Sequence, residues 1–440
     1  MSDRLLLAFI ILMTYMLFTM PLQHAEAQQE HLRIHNDAVV VDGHNDILSR
    51  VARGDRIDIR STRGQSDLPR FREAGLNVQL FSVYVHPRHG VENGWRAALQ
   101  QMDSLHAIAG RYPDRLRVVT NMDELRRSID ADALAGILAL EGALILDTKH
   151  ERIRELHQRG LRVLAPTWNV STGWASSSND ESAQRGFKGL TGHGRSIIRL
   201  LDSLGILIDV SHIGERAFYD ILNTTRNPII ASHSSCAALR KHHRNLTDEQ
   251  LRALARNGGV AMINFYPNYL RSDFGRSNIA LLRQYCARVD KLLDKHRQHS
   301  DELLQSFDAI VLEARSKRLP TLLDVADHIE HAISIAGTAH VGLGSDFDGI
   351  PYGPVGLHDV RLLPMLTREL LRRGYRPDTV KGILGGNFLR VFKATTRNGK
   401  YVLRRAFDLW RLFCLQFRSV QQKRKRPTSQ LQIGRNPHTQ

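Results

Sequence analysis

The chain has 440 residues, of which 42% are hydrophobic, 24% charged and 7% aromatic. This globular composition suits one large domain, since barrels of about 250 residues or more are ordinary single domains. Three cysteines with no C-x-x-C pair exclude a disulfide framework and a zinc knuckle, and the formal net charge of +16 is unevenly spread.

Residues 1–27 have the pattern of a signal peptide. A charged start with Arg4 precedes the apolar run "LLLAFIILMTYMLFTM", and "AEA" at 25–27 supplies small residues at a cleavage site. We therefore expect cleavage after Ala27 and an exported protein, periplasmic or extracellular. The apolar run is shorter than the roughly 20 residues that a membrane span needs, and an uncleaved anchor is the alternative.

Eight short apolar runs, rich in β-forming residues, alternate with helical patterns. The runs are "VVVDGHND" (39–46), "NVQLFSVYV" (77–85), "GILALEGA" (136–143), "LRVLAPTW" (161–168), "GILIDVSH" (205–212), "PIIASHSS" (228–235), "GVAMINFY" (259–266) and "HVGLGSDFDG" (340–349). One helical pattern, "LTDEQLRALARNG", opens with the capping pair Thr247 and Gln250. Eight strand–helix repeats predict an α/β fold, a (β/α)8 TIM barrel.

Polar residues gather at the carboxyl ends of these runs, which form the active face of such barrels. They are His44, Asp46, Glu141, Trp168, His212, His233 and Asp346. In a strand, residues two apart share a face, so His44 and Asp46 are expected to point the same way. A lone histidine is more often a core residue than a ligand, but an ionised Glu141 in an apolar run is almost never buried unpaired. Together the set predicts a pair of zinc ions rather than magnesium or calcium, which prefer oxygen ligands.

Seven motifs carry a resemblance to a known family. In order they are "VDGHND", "LEGA", "LIDVSH", "ASHSS", "HHRN", "NFY" and "GSDFDG". With these motifs the chain resembles the membrane dipeptidases, also called renal-type dipeptidases, of metallopeptidase family M19. The resemblance runs from about Asp37 to Ala394, with a charged helical insertion near 271–320. We assign residues 28–396 to a dipeptidase domain, a TIM barrel of the metal-dependent hydrolase type.

The resemblance implies a site with two zinc ions per subunit. One zinc would be held by His44 and Asp46, the other by His212 and His233, with Glu141 bridging them. A hydroxide between the metals would attack the carbonyl of a dipeptide.

The resemblance also implies roles for three further residues. Asp346 would be the acid/base, and it would also contact the substrate. Arg244 would hold the terminal carboxylate of the dipeptide, and Asp348 is the less expected acid/base. Trp168 stands where the mammalian-type pattern has a histidine that contacts the substrate carbonyl. Because tryptophan donates one hydrogen bond and cannot be protonated, the substrate preference is left open.

Residues 397–440 form a basic extension with 11 Lys and Arg against Asp408 alone, a net +10. Either an interfacial amphipathic helix with a polybasic patch, in contact with a membrane surface, or a disordered extension fits this pattern. No nucleic-acid partner is expected for an exported protein, and a homodimer stays open.

Two alternative functions also fit the sequence. One is another binuclear-zinc amide or ester hydrolase, such as a lactonase or an acylamino-acid hydrolase. The other is a surface-associated binding protein that uses the barrel as a scaffold. The arginine at 244 and the intact ligand set favour the dipeptidase.

Overall fold

The computed structural model describes residues 30–296 and 300–396, and these form a barrel of parallel strands surrounded by helices. Within these ranges the strands are β1 (Val40–Asn45), β2 (Leu76–Tyr84), β3 (Leu116–Val118), β4 (Leu134–Glu141), β5 (Leu161–Ala165), β6 (Leu207–Ile208), β7 (Ile230–Ala231), β8 (Val260–Asn264) and β9 (Val341–Gly344). Eight of them overlap the eight predicted runs, one strand to each run. The exception is β3, which has three residues and was not predicted.

The eight strands other than β3 close into a barrel. Hydrogen-bonded neighbours run β1-β2-β4-β5-β6 in one sheet and β7-β8-β9 in another, all parallel. Parallel bridges join Asp209 to Ile230 and Asn45 to Phe347, which link β6 to β7 and β9 back to β1. The predicted (β/α)8 TIM barrel is confirmed.

Helices cover the outside of the barrel. They are α1 (30–37), α2 (Ile47–Val51), α3 (Leu68–Glu73), α4 (Gly90–Arg111), α5 (Met122–Asp130), α6 (His150–Gln158), α7 (Ser178–Ser182), α8 (Gly192–Leu204), α9 (Glu215–Leu222), α10 (Asp248–Arg256), α11 (Pro267–Leu270), α12 (Ile279–Lys295), α13 (Asp301–Ser316), α14 (Leu322–Ala336), α15 (Leu363–Arg372), α16 (Pro377–Lys381) and α17 (387–396). Short turns of 3-10 helix lie at Pro87–His89, Ala143–Leu146, Arg276–Asn278, Thr338–His340 and Val360–Leu362, and a π turn at Gly382–Gly386 joins α16 to α17. The predicted capping box at the start of α10 is confirmed, with Thr247 and Gln250 bonded reciprocally.

Side-chain alternation along the strands separates two apolar layers. In β4, Ala135, Ile137 and Ala139 face the barrel interior, whereas Leu138 and Leu140 pack outward against the helices. Period-two alternation then points Glu141, the last residue of β4, into the barrel mouth. The opposite end of the barrel interior is filled by three side chains of α17, namely Phe388, Val391 and Phe392.

The segment between β8 and α14 contains the longest addition to the strand–helix repeat. Two helices, α12 and α13, lie in it and pack against each other. None of the helices within the described ranges is long and apolar enough to cross a membrane. The predicted signal peptide (1–27) and the predicted basic extension (397–440) lie outside the described residues.

Candidate metal centre

Three residues at the ends of β1 and β4, with Asp46 directly after β1, converge at the mouth of the barrel. The Nε2 atom of His44 lies 3.3 Å from Asp46 Oδ2 and 3.3 Å from Glu141 Oε2. The pairing of β1 with β2 is irregular between Asp42 and Asn45, and such bulges re-aim side chains beside active sites. The expectation that His44 and Asp46 share a face is confirmed, while Asn45 bonds Ser66 on the other side.

Two histidines from the ends of β6 and β7 complete the cluster. His212 Nε2 lies 2.9 Å and His233 Nε2 3.6 Å from Glu141 Oε1. On the far side of each ring, His212 Nδ1 donates to Asn169 Oδ1 at 3.1 Å and His233 Nδ1 to Ser232 Oγ at 2.7 Å. These bonds hold the protons on Nδ1 and leave both Nε2 lone pairs free for a ligand.

The donor atoms of this cluster fit cations. His212 Nε2 and His233 Nε2 lie only 3.0 Å apart. With the protons on Nδ1 of both neutral rings, the two Nε2 lone pairs would face and repel each other. His44 Nε2 and Asp46 Oδ1 are buried and have no hydrogen-bond partner among the described residues. Two ligand groups of three share Glu141: His44 with Asp46, and His212 with His233. A mixed nitrogen and carboxylate set of this kind suits zinc.

The protonation of His212, His233 and Glu141 agrees with ligand function. Burial opposes the charged form of His44, but Glu141 and Asp46 raise its pKa well above the usual range. Burial and the nearby Arg244 lower the pKa of His212 to about 3, and burial lowers that of His233 well below its usual range. Burial opposes ionisation of Glu141, but His44 and His212 hold its pKa well below normal. Neutral imidazoles beside an ionised carboxylate are the metal-binding forms.

Asp346 and Asp348 both follow β9, but they have different surroundings. Asp346 accepts a hydrogen bond from Asn264 Nδ2 at 3.0 Å and groups with His44 and His233. Burial raises the pKa of Asp346 to about 7. Asp348 instead accepts from Arg50 Nη1 at 3.1 Å. Of the two, only Asp346 faces the cluster as a carboxyl group that could take up and release a proton.

The cluster forms the floor of an open cavity of about 340 Å³. Arg244 lines it and is 2% exposed, with Nη2 donating to the His233 carbonyl at 3.3 Å and its guanidinium 5.6 Å from the Tyr269 ring centre. Its Nε has no hydrogen-bond partner among the described residues. A buried guanidinium with free donor capacity is suited to a carboxylate.

Trp168 also lines this cavity. Its ring centre is 5.0 Å from that of Tyr84 and 6.4 Å from that of His212. The structure therefore brings together every residue that the sequence predicted for the site. Their individual roles stay predictions.

Several supporting residues were not predicted. Ser82 donates to Glu141 Oε2 at 3.1 Å, and Ser232, which orients His233, donates to Asp209 Oδ2 at 2.6 Å. Asn169 and Ser82 left a signal in the sequence. Asn169 directly follows Trp168 at a strand end, and Ser82 is a polar residue in phase with the inward side chains of β2. The contribution of Tyr269, which follows β8 by five residues, could not be seen without the fold.

Comparison with known proteins identifies the family of the chain. The model of the membrane dipeptidases, peptidase family M19, matches residues 28–403. The chain belongs to this family. Among the relatives of this M19 member, the dipeptidase aclJ of Aspergillus oryzae is 31% identical over 368 residues, which are 80% of this chain and 77% of that protein.

Two solved structures are similar to the chain. The probable dipeptidase PvdM of Pseudomonas aeruginosa matches with a TM-score of 0.70 at 22% identity, covers 85% of this chain and 99% of its own, and shows the shared fold. A metallopeptidase of Rhodobacter sphaeroides, solved with a phosphinate mimic of the dipeptide L-Ala-D-Ala, matches with a TM-score of 0.66 at 26% identity, over 81% of this chain and 99% of its own. The M19 chain is a peptide-bond hydrolase, a metallopeptidase of the dipeptidase type.

Proposed function

We propose that the protein hydrolyses dipeptides with two zinc ions per subunit. One observation carries the proposal: the two carboxylate oxygens of Glu141 face different ligand pairs. Oε2 lies 3.3 Å from His44 Nε2, and Oε1 lies 2.9 Å from His212 Nε2. A carboxylate held in this way would bridge one ion at His44 and Asp46 and a second at His212 and His233.

The choice of zinc rests on the donor atoms. Three imidazoles and two carboxylates suit zinc, whereas magnesium and calcium prefer oxygen ligands. When bound, zinc would lower the pKa of a coordinated water towards about 7 and polarise the scissile carbonyl, which makes a hydroxide nucleophile available at neutral pH.

The side chains around the centre would orient the substrate and move the proton. Arg244 would hold the free carboxylate of the dipeptide, through a two-pronged contact that a lysine could not copy. This contact would restrict cleavage to substrates with a carboxylate one residue beyond the scissile bond. Asp346 would take the proton of the attacking water and pass it to the departing amine. Trp168 offers one indole donor on the cavity wall and cannot take part in proton transfer.

The first substrate to test is L-Ala-D-Ala. The related Rhodobacter sphaeroides structure holds a phosphinate mimic of this dipeptide. A panel should also contain a lactone and an N-acylamino acid, because a second hydrolase function would appear there. Turnover of these compounds without turnover of dipeptides would contradict the proposal.

We expect removal of the metal to abolish activity. The protein would be purified, its metal content measured by mass spectrometry, and its turnover assayed before and after chelation, with zinc added back. Two zinc ions per chain and recovery on zinc addition are the expected results. His233→Ala should lose one of the two ions and nearly all activity. Full turnover of the metal-free protein would contradict the proposal.

The location of the protein is a further part of the proposal. The pattern of residues 1–27 supports export to the periplasm or the extracellular space, and the basic residues after Arg397 support contact with an anionic membrane surface. Fractionation of cells, and sedimentation with anionic vesicles, would test these two points separately. The size of the purified protein in solution would test for a homodimer.

A further inference from the structure

One positively charged side chain at the rim of the cavity, that of Arg53, has no function among the metal ligands and substrate contacts proposed so far. Arg53 lies two residues after α2, lines the cavity and is exposed. No ion pair or side-chain hydrogen bond of Arg53 is found among the described residues. Ser49, four residues earlier, lines the same cavity. Its small side chain leaves room between the rim and the metal ligands.

The carboxylates near Arg53 are neutralised by other residues. Asp348 accepts from Arg50 at 3.1 Å and from Ser66 Oγ at 2.5 Å. Asp55 pairs with Arg50 at 3.1 Å and with Arg63 at 2.9 Å. Arg53 is therefore not needed to balance a buried charge. Its charge faces the space that a substrate would enter.

Arg53 and Arg244 lie on different sides of the metal centre. Arg244 contacts the carbonyl of His233, which follows β7, whereas Arg53 follows β1 and α2. Strands β8 and β9 separate β7 from β1 around the barrel. A dipeptide with its carboxylate at Arg244 and its scissile carbonyl over the metal ligands would extend its amino-terminal residue towards the β1 side.

We propose that Arg53 selects dipeptides whose amino-terminal residue carries an acidic side chain. The inference rests on the proposed dipeptidase function and specifies its substrate class. A glutamate side chain would reach the rim and pair with the guanidinium, while its neutral isostere glutamine would lose the charge. Because Arg53 is exposed, the preference should be moderate, about 1.5- to fivefold in kcat/KM.

The experiment compares matched substrates across four proteins. Wild type, Arg53→Gln, Arg53→Glu and the control Arg126→Gln are assayed on L-Glu-Ala, L-Gln-Ala, Ala-Glu and Ala-Gln. Arg126 is an exposed arginine on α5 that does not line the cavity. Its variant removes the same charge from the molecule and should keep the Glu-Ala to Gln-Ala ratio of the wild type.

Five results are expected. The wild type should favour Glu-Ala over Gln-Ala, Arg53→Gln should bring this ratio close to one, and Arg53→Glu should bring it below one. The wild-type ratio should also shrink in about 1 M salt, where the screening length falls to about 3 Å. The ratio of Ala-Glu to Ala-Gln turnover should be the same in the Arg53 variants as in the wild type.

Each other outcome has a distinct meaning. If the wild type cleaves dipeptides but its ratio equals that of Arg53→Gln, the inference about Arg53 is wrong and the dipeptidase function stands. If the Arg53 variants change only the Ala-Glu to Ala-Gln ratio, Arg53 contacts the carboxy-terminal residue of the dipeptide and the inference is again wrong. If no dipeptide is cleaved by the zinc-loaded wild type, the proposed function itself is wrong.

Discussion

Two aspartates in the loop after β9, Asp346 and Asp348, have similar backbone conformations but different surroundings. Asp346 has φ +65° and Asp348 has φ +64°, in the left-handed region that few residues other than glycine adopt. Asp346 faces the metal ligands. Asp348 is bound by Arg50 and by the backbone N–H of Gln65 at 2.8 Å. Within one loop, Asp346 is therefore placed for the chemistry at the metal ligands, and Asp348 for the stability of the fold.

Asp346→Asn should lower kcat by about 10²–10⁴ with little change in KM, because it removes proton transfer but keeps the shape of the side chain. Steady-state kinetics on one dipeptide, with the zinc content measured in parallel, would show this. A variant that keeps more than about a tenth of the wild-type kcat would rule out Asp346 as the acid/base.

Asp348→Asn is the matched control for this experiment. It should lower the free energy of unfolding by about 1–3 kcal/mol, since Arg50 loses a buried charged partner. Its kcat should stay within about threefold, which is less than 1 kcal/mol of activation free energy. Denaturant titration and the same kinetic assay would measure both quantities.

Arg244→Ala should mainly raise KM. The carboxylate that it would bind is already charged in the ground state, so the lost contact affects binding more than chemistry. A charge-assisted hydrogen bond contributes about 1.5–3 kcal/mol, which corresponds to roughly ten- to 150-fold. Arg244→Lys should recover only part of this, since lysine lacks the planar fork. An unchanged KM in Arg244→Ala would place the substrate carboxylate elsewhere.

At the scale of single residues, the sequence predicted the members of the site but not their supports. His44 and Glu141 could be recognised because polar residues at the ends of apolar runs are improbable without a function. Asn169 and Ser82 stand at positions that the strand pattern marks, but each supports the site by a side-chain hydrogen bond whose partner only the fold shows. Arg53 is one exposed arginine among many, and only its position at the cavity distinguishes it.

At the scale of elements, the long helices and most strands were predictable from periodicity. Residues 94–111, "GWRAALQQMDSLHAIAGR", have helical spacing and fall within α4 (Gly90–Arg111), and the capping pair marked the start of α10. Strand β3 has only three residues and pairs with the first part of β4, so its sequence carried no alternation to detect. Strands β6 and β7 have two residues each, although the apolar runs that predicted them have eight. The number of paired residues in β6 and β7 is therefore determined by the neighbouring strands of the barrel and not by the length of the apolar run.

The contact between α12 and the loop before α15 should depend on pH. His358 Nε2 lies 3.2 Å from Asp290 Oδ1. Burial alone would lower the pKa of His358, but the neighbouring Cys286 and Asp290 raise it to about 10. Because the folded pKa is above the unfolded value of about 6.5, this pair stabilises the fold fully below pH about 6.5 and loses that contribution as the pH rises through 10.

We therefore expect His358→Gln to be less stable than the wild type at pH 7 and nearly equal to it at about pH 10.5. Urea unfolding of both proteins at the two pH values would measure the difference. A stability gap that is independent of pH would show that the histidine acts by packing and not by charge.

At the scale of the whole molecule, the residues after Thr396 should be dispensable for chemistry. Every predicted site residue lies before this point, and α17 already fills the lower end of the barrel. A chain truncated after Thr396 should keep kcat within about twofold, well below the tenfold that 1.4 kcal/mol would produce. The same truncation should reduce binding to anionic vesicles. A larger loss of kcat would place part of the extension over the active mouth.

The seam between β1 and β9 has a consequence for the timing of synthesis. Ser345 donates from its backbone N–H and its hydroxyl to the two oxygens of Asp42, each at 2.7 Å, across 303 residues of chain. A ribosome makes β1 (Val40–Asn45) long before β9 (Val341–Gly344), so the barrel cannot close until β9 has been made. Nascent chains released before Val341 should therefore be inactive whatever their length, and hydrolysis should appear abruptly once the final strand is made.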